Sequence, residues 1–448
     1  METEHGERTD TGRRPSARAL VAGSVGNFIE WYEFGVYGYF ATVIAERFFT
    51  PAGGGTVEGL VKTYASFALA FFFRPVGAAL FGRLGDRIGR RPVLILVISL
   101  MTVTTALIGA LPAYATLGVL APWLLTLLRV LQGLSAGGEF GGAVAVMTEF
   151  APPGRRGLYG AWQSFTVALG LLAGAGVAAV LASLLSEAQL SAWGWRLPFL
   201  LALPMGLGAL WLRLRLDETP TFREQGPAEA LPARDVAWAV ALGAGRVMGW
   251  AAAGYAFLVV LPSYLQTALH ATFREALTAT VLANLGFAAT IIPAGLLSDR
   301  VGRRPVMLTG AGLVVVLAVP LLDLLQSPGT STLLKGLAVL LAGAVVGLMA
   351  GPGPALLAEM FPTRVRCTGL GLAYALSNAV FSGCAGLIIT EAVKRTGNVD
   401  VPAYYAAAAC AVSMLALLKK TAFNGIAGKA DGTDADDRPD VGNVVRRH

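Results

Sequence analysis

"GRLGDRIGRRPVLI" (residues 82–95) and "GLLSDRVGRRPVML" (residues 295–308) are one loop written twice, 213 residues apart. A second pair, "TEFAPPGRR" (148–156) and "AEMFPTRVR" (358–366), recurs at an offset of 210. Two nearly equal offsets imply a duplicated unit. The surrounding chain is strongly apolar. Of its 448 residues 55% are hydrophobic and 14% charged, with a mean hydropathy of +0.62, more than a water-facing surface tolerates.

A helix needs about 20 apolar residues to cross the hydrocarbon layer. Twelve such runs begin near Leu20, Leu60, Pro92, Trp123, Leu158, Leu197, Val236, Ala276, Val306, Leu333, Arg366 and Val401. Arginines crowd every second connection: Arg83, Arg87, Arg90 and Arg91; Arg155 and Arg156; Arg213, Arg215, Arg223 and Arg234; Arg300, Arg303 and Arg304; Arg364 and Arg366. The positive-inside rule makes those loops and both termini cytoplasmic. Both copies of each repeated loop then lie on one side, so the two halves enter the membrane in the same sense. That is the parallel repeat of two-bundle transporters, with a site between the bundles at the midplane.

The expected fold is therefore all-α: a polytopic membrane protein of twelve transmembrane helices in two six-helix bundles, residues 18–212 and 236–420. A cytoplasmic linker, 213–235, joins them. Residues 1–17 form a polar tail with no apolar core, so the first span is expected to act as its own insertion signal. Residues 421–448, acidic and without heptads, are expected to be disordered.

Several function classes fall away. Cys367, Cys384 and Cys410 have no paired spacing, and His5, His270 and His448 stand far apart, so no metal set or redox pair is expected. "GLLAGAGVAAV" (170–180) lacks the Gly-Lys-Ser/Thr ending of a nucleotide loop and reads as a helix-packing face. The net charge of +7 resides in short loops, where topology accounts for it without nucleic acid. No catalytic triad is present, so neither an enzyme nor a cofactor is expected.

Charged groups inside the spans carry the chemistry. "GNFIEWYEFGVYGYF" (26–40) holds Glu30 roughly 15 Å into the first span and Glu33 about a turn further on. A charge at a helix centre costs about 2.5–3.5 kcal/mol, whereas each Leu, Ile or Phe returns only about 0.3–0.6. At helical spacing Gly23, Asn27, Glu30, Phe34 and Tyr37 share one stripe and Gly26, Glu33 and Tyr37 an overlapping one, so both acids are expected to face one cavity. Burial disfavours a charged carboxylate, and an acid held that way can take a proton on one side and release it on the other. Either the pair couples protons, or it forms a fixed contact with a buried arginine. Glu139 in the fourth span, a turn or two beyond Arg129 and Gln132, faces the same choice, with Arg74 or Arg129 as its partner. Arg246 in the seventh span suits a substrate carboxylate held bidentately, or pairs across the cleft with a glutamate. The amides Gln163, Asn284 and Asn378 and the rings Tyr37, Trp250 and Tyr255 either line the site or pack helices.

The loops read as gates. Asp86 and Asp299 sit where a helix N-terminus and nearby arginines favour a carboxylate. With Arg87, Arg90, Arg91, Glu149 and Arg156, and with Arg300, Arg303, Glu359 and Arg366, they form latches that part in one state and close in the other, or they serve topology alone.

The GxLxDRxGRR loop and its echo resemble the signature of the major facilitator superfamily. "FFFRPVGAALFGRLGDRIGRR" (71–91), "RVLQGLSAGGEFGGA" (129–143), "WGWRLPFLL" (193–201), "RLRLDETPTF" (213–222) and the 26–40 string are similar to its metabolite:proton symporters, which include citrate, ketoglutarate, shikimate and proline/betaine permeases. The resemblance runs from Gly26 to about Val393. It singles out an acid at position 33, where the subgroup often has Asp, and so puts Glu33 ahead of Glu30 and Glu139. It implies proton-coupled import of a small polar organic acid by alternating access, in a bacterial inner membrane, by a protein that works as a monomer in the lipid bilayer. The alternatives are a proton symporter of a compatible solute such as proline or betaine, a proton-driven efflux carrier, or a non-transporting sensor.

Overall fold

A computed structural model of the chain describes residues 17–50, 55–88, 90–149, 151–214, 232–361 and 366–419. Twelve helical spans account for nearly all of them. α1 (Ala17–Tyr39) runs on through a kink at Phe40 to Phe49. α2 (Thr56–Ile88) and α3 (Arg90–Ala110) follow. α4 comes in two pieces, Leu120–Ala136 and Phe140–Glu149, and α5 (Arg156–Leu184) and α6 (Arg196–Leu214) complete the first bundle. The second bundle holds α7 (Ala233–Gly254, continuing to Ala268), α8 (Phe273–Val301), α9 (Arg303–Gln326), α10 (Thr332–Ala350, then Gly353–Glu359), α11 (Arg366–Ser377, continuing to Thr396) and α12 (Val401–Leu418). Nine of the described helical stretches are apolar and long enough to cross a membrane. Ile95–Ala110 and Leu120–Ala136 are shorter apolar helices, and α1 brings the number to twelve. Each begins within a few residues of its expected start.

Local chemistry sets several ends. Thr272 and Glu275 form a capping box that opens α8, and Ser331 caps α10. Gly302, the glycine of the "DRVGRR" repeat, has φ +96° and closes α8 so that α9 starts at Arg303. Both linker boundaries differ from expectation, and α7 already begins at Ala233. Arg213, read as the first linker residue, is a buried residue in the last turn of α6. Residues 215–231 of the expected linker, residues 1–16 of the first tail and the tail 421–448 lie outside the described residues.

The duplication seen in the loops extends to the backbone contacts. A Cβ on Gly133 of α4 would collide with the Ala70 carbonyl of α2, and one on Gly343 of α10 with the Ala283 carbonyl of α8. These positions are related by the same offsets, 210 and 213, as the loop motifs. Gly137 against the Arg74 carbonyl and Gly347 against that of Phe287 repeat the pattern. Without a hydrophobic drive between helices in lipid, close backbone approach through small residues supplies the packing. Gly170 and Gly174 do the same for α5 against α1, as the 170–180 string suggested.

The two bundles meet at both ends. At the arginine-rich end Asp299 of α8 accepts hydrogen bonds from the backbone of Gly157 (2.8 Å) and Leu158 (2.9 Å) in α5. At the other end Arg274 donates to the Ser183 carbonyl (3.2 Å), and Tyr64 shares a hydrogen bond with Ser263 (2.7 Å).

The glycine contacts give the first test. Gly133→Val and Gly343→Val are each expected to destabilise the folded chain by about 1–3 kcal/mol through overpacking. Gly208→Val, where nothing lies within 4 Å, is expected to be near neutral. Thermal unfolding in detergent checks both.

Candidate functional site

Three buried acids occupy the first bundle, and each has a different partner. Glu30 of α1 pairs with Arg74 of α2, Nη2 to Oε1 at 3.0 Å, an ion pair rather than an aligned hydrogen bond, with both side chains only 4% exposed. Three rings enclose that guanidinium: Phe71 at 4.2 Å, Phe34 at 4.3 Å and Trp31 at 5.5 Å from ring centroid to guanidinium carbon. Ring faces stabilise a desolvated cation by about 2 kcal/mol, which helps hold Arg74 where water cannot reach it.

Glu139 pairs with Arg213 of α6, and Gly26 of α1 packs against both side chains. Neither Arg74 nor Arg129, the partners expected from sequence, is used. Arg213 was missed because it was read as linker, although it ends an apolar run long enough to be helical.

Among the described residues Glu33 forms no ion pair with an arginine. Its Oε2 accepts a hydrogen bond from Thr105 of α3 (2.6 Å), and that hydroxyl in turn accepts one from Gln132 of α4. Arg129 donates to Gln132 Oε1 at 2.7 Å and lies over the rings of Tyr37 (4.1 Å), Phe34 (4.7 Å) and Phe67 (4.9 Å). A relay of neutral groups thus runs from Arg129 to Glu33 through α4, α3 and α1. Among the described residues Glu33 Oε1 is buried without a hydrogen-bond partner. A proton on that oxygen would remove an unpaired buried charge, whereas a proton on Glu30 or Glu139 would break an ion pair.

The expectation that Glu30 and Glu33 face one cavity is not met. The cavity between the bundles is lined by Trp31, Val167 and Leu171 of the first bundle. From the second come Val247, Trp250, Ala251, Tyr255, Phe287, Tyr374, Asn378 and Ser382, among others. Both acids point into the first bundle, and Trp31 stands between Glu30's partner and the cavity. Trp31 and Tyr255 face each other at 6.1 Å, Trp250 and Tyr374 at 5.8 Å. The Tyr255 hydroxyl is buried and lacks a hydrogen-bond partner among the described residues. Two wall segments, Tyr255–Val260 and Asn378–Gly383, are π-helical, a form that recurs at functional sites.

Of the other expected residues, Trp250 and Asn378 line the cavity. Asn27 donates to Thr166 (2.6 Å) and the Gln163 carbonyl (3.2 Å), Gln163 donates to Asn27, and Tyr37 shares a bond with Ser66 (2.6 Å), all within the first bundle. Asn284 bridges the bundles, donating to Tyr39 (3.3 Å) and the Leu258 carbonyl (3.3 Å). Arg246 is buried away from the cavity wall. It donates to the carbonyls of Lys419 (2.6 Å) and Ala416 (3.3 Å), and so caps the end of α12. Trp31, Tyr374 and Ser382 escaped the sequence reading because an aromatic or hydroxyl residue in a span looks the same whether it packs or lines a cavity.

At the arginine-rich end Arg303 pairs with Asp299 (2.7 Å) and Glu359 (3.1 Å). Arg366 donates to the carbonyls of Ala358 (3.1 Å) and Phe361 (3.2 Å). Arg156 and Arg300 are exposed there. The side chains of Asp86, Arg87, Arg90, Arg91 and Glu149 lie outside the described residues.

The paired acids predict a stability pattern. Arg74→Gln leaves Glu30 buried and unpaired and is expected to destabilise the protein by about 3–5 kcal/mol. The Glu30→Gln/Arg74→Gln double variant is expected to regain a large part of that loss. Melting of single and double variants in detergent measures the coupling.

Known proteins resemble this chain over nearly its whole length. Residues 19–229 match the sugar (and other) transporter family and residues 247–431 the major facilitator superfamily. A glycine betaine/proline/ectoine/pipecolic acid transporter of Dickeya dadantii is 34% identical, covering 96% of this chain and 88% of its own. The proline/betaine transporter of Escherichia coli is 35% identical over 90% of this chain and 84% of its own. The alpha-ketoglutarate permease of the same organism is 37% identical over 84% and 87%. Among solved structures, a D-xylose–proton symporter superposes with a TM-score of 0.71 at 20% identity, covering 90% of this chain and 96% of its own. With the duplicated twelve-span fold and the buried charges in its first bundle, the chain belongs to the major facilitator superfamily, in the metabolite:proton symporter subgroup that its span strings resemble.

Proposed function

We propose that this transporter carries a small zwitterionic compatible solute, of the betaine, proline or ectoine kind, into the cell together with a proton. The observation that carries this reading is the cavity wall. It is built of rings, aliphatic groups, an amide and hydroxyls, with no charged side chain among its lining residues. A solute of zero net charge suits such a wall, because burying a net charge there without a partner is costly. Ring faces of Trp31, Trp250 and Tyr374 favour a quaternary or secondary ammonium, and the Tyr255 hydroxyl, Asn378 and Ser382 offer donors to a carboxylate. This reverses the order of the two readings taken from sequence, which put an organic acid first. The names of the relatives at 34% and 35% identity support the same order.

The organic-acid reading stays in play through the alpha-ketoglutarate permease at 37% identity. Glu33 is the proposed proton carrier, because among the described residues Glu30 and Glu139 are each paired with an arginine and Glu33 is held by a neutral hydroxyl. The arginine-rich loops are proposed to face the cytoplasm of a bacterial cell, the chain lying in the inner membrane. A membrane potential then contributes about 2.3 kcal/mol per charge per 100 mV to accumulation.

Uptake into proteoliposomes under an imposed pH gradient tests this, with labelled glycine betaine, proline, ectoine and ketoglutarate and a protonophore control. Betaine, proline or ectoine is expected to accumulate and to leak back when the protonophore is added. Ketoglutarate uptake without the others would overturn the solute class. Glu33→Gln is expected to lose gradient-driven accumulation while retaining exchange of labelled for unlabelled solute, and full accumulation in that variant would remove Glu33 from the coupling step.

A further inference from the structure

Between the cavity and the arginine-rich end a pair of rings, one from each bundle, meets across the interface. Phe140 of α4 and Tyr374 of α11, one from each bundle, lie face to face with centroids 3.5 Å apart and planes at 6°. Tyr374 also lines the cavity, and Phe140 does not. Phe140 is nine residues from Glu149 and Tyr374 eight from Arg366, so both lie roughly 12–14 Å in from the arginine-rich loops. A face-to-face sandwich is the weakest of the aromatic arrangements. The rings nearer the opposite end, Phe71 against Tyr255 and Tyr64 against Phe67, meet edge-on instead.

Phe140 begins the second piece of α4, directly after the break at Gly137–Glu139. The residue before it is Glu139, whose Oε1 is held by Arg213 while Oε2 is buried with no hydrogen-bond partner among the described residues. Arg213 lies in the last turn of α6. Next to the stack the two helices approach through glycines, a Cβ on Gly371 standing 3.6 Å from Gly141 Cα. The stack is therefore mounted directly after a break in α4, next to a buried ion pair that ties the break to α6.

We propose that the Phe140–Tyr374 stack is the gate between the cavity and the arginine-rich face, and that Glu139, through Arg213, is the positioning residue that holds it closed. This rests on the transport reading but on no choice of solute. Opening toward that face separates the rings, and the first turn of the second α4 piece swings with Phe140.

The test needs no substrate and so fails independently of the proposed solute. In a background with Cys367, Cys384 and Cys410 replaced by alanine, Ala251→Cys puts a reporter thiol in the cavity wall. Its labelling by a membrane-impermeant thiol reagent is measured from each face of the membrane, in vesicles of the two orientations. Phe140→Ala is expected to raise the rate from the arginine-rich face by about two- to tenfold, the factor that losing one aromatic pair gives, and to leave the opposite face unchanged. Glu139→Gln is expected to raise the same rate, and Phe140→Tyr to restore the parental one. If Phe140→Ala does not reach the membrane, Phe140→Leu, which keeps volume without a flat ring, is read the same way. No change in the ring variant, or an equal rise from both faces, overturns the gate. A parental rate in Glu139→Gln overturns the positioning role.

Discussion

A carboxylate inside the membrane must find a partner or a proton, and the first bundle is organised around that constraint. Glu30 and Glu139 meet it with arginines brought from α2 and α6. Glu33 meets it only in part, with a hydroxyl on one oxygen and, among the described residues, no hydrogen-bond partner on the other. The difference separates roles that three glutamates could not reveal by type. Two have their charge balanced by an arginine, and the third, whose hydrogen-bond partner among the described residues is a neutral hydroxyl, is left for a proton to neutralise. The rings that enclose Arg74 and Arg129 belong to the same solution, since a cation held on ring faces is desolvated without being stranded.

The duplication was inherited unevenly. Glycine-to-carbonyl packing recurs at matching positions in both halves, so the scaffold has been kept twice. The polar groups have not. At the offsets that relate the loops, Arg74 corresponds to Phe287, Arg129 to Val339, Gln132 to Ala342 and Glu139 to Met349. Buried acids are thus concentrated in one bundle, while the other supplies most of the cavity wall, including both π-helical stretches. Rocking of one bundle against the other moves the solute site relative to the proton site, the kind of bistable element that coupling requires.

Much of this was legible in the sequence. Loop repeats, apolar run lengths and arginine placement set twelve helices in two bundles, because each is a local signal. The buried acids were legible too, since a charge in an apolar run is conspicuous. Their partners were not. Glu139 and Arg213 are 74 residues apart, and no helical spacing relates them. Arg246 misled for a related reason: its depth in a span was visible, but not the end of α12 that it caps. Trp31 lies beside Glu30 in sequence, yet it faces outward from the bundle while its neighbour faces in, a distinction that needs the packed helices to be drawn.

The contact between Asp299 and α5 is made to main-chain N–H groups at Gly157 and Leu158. The closed end is therefore fastened to a part of the chain that every residue except proline possesses. Side chains at the start of α5 can drift over evolutionary time without loosening it, provided Gly157 stays small enough for Ser298 and Gly295 to approach. Such a fastening leaves no pair of co-varying side chains across the bundles. Its trace in a family of sequences would be one fixed acid opposite a stretch that varies almost freely.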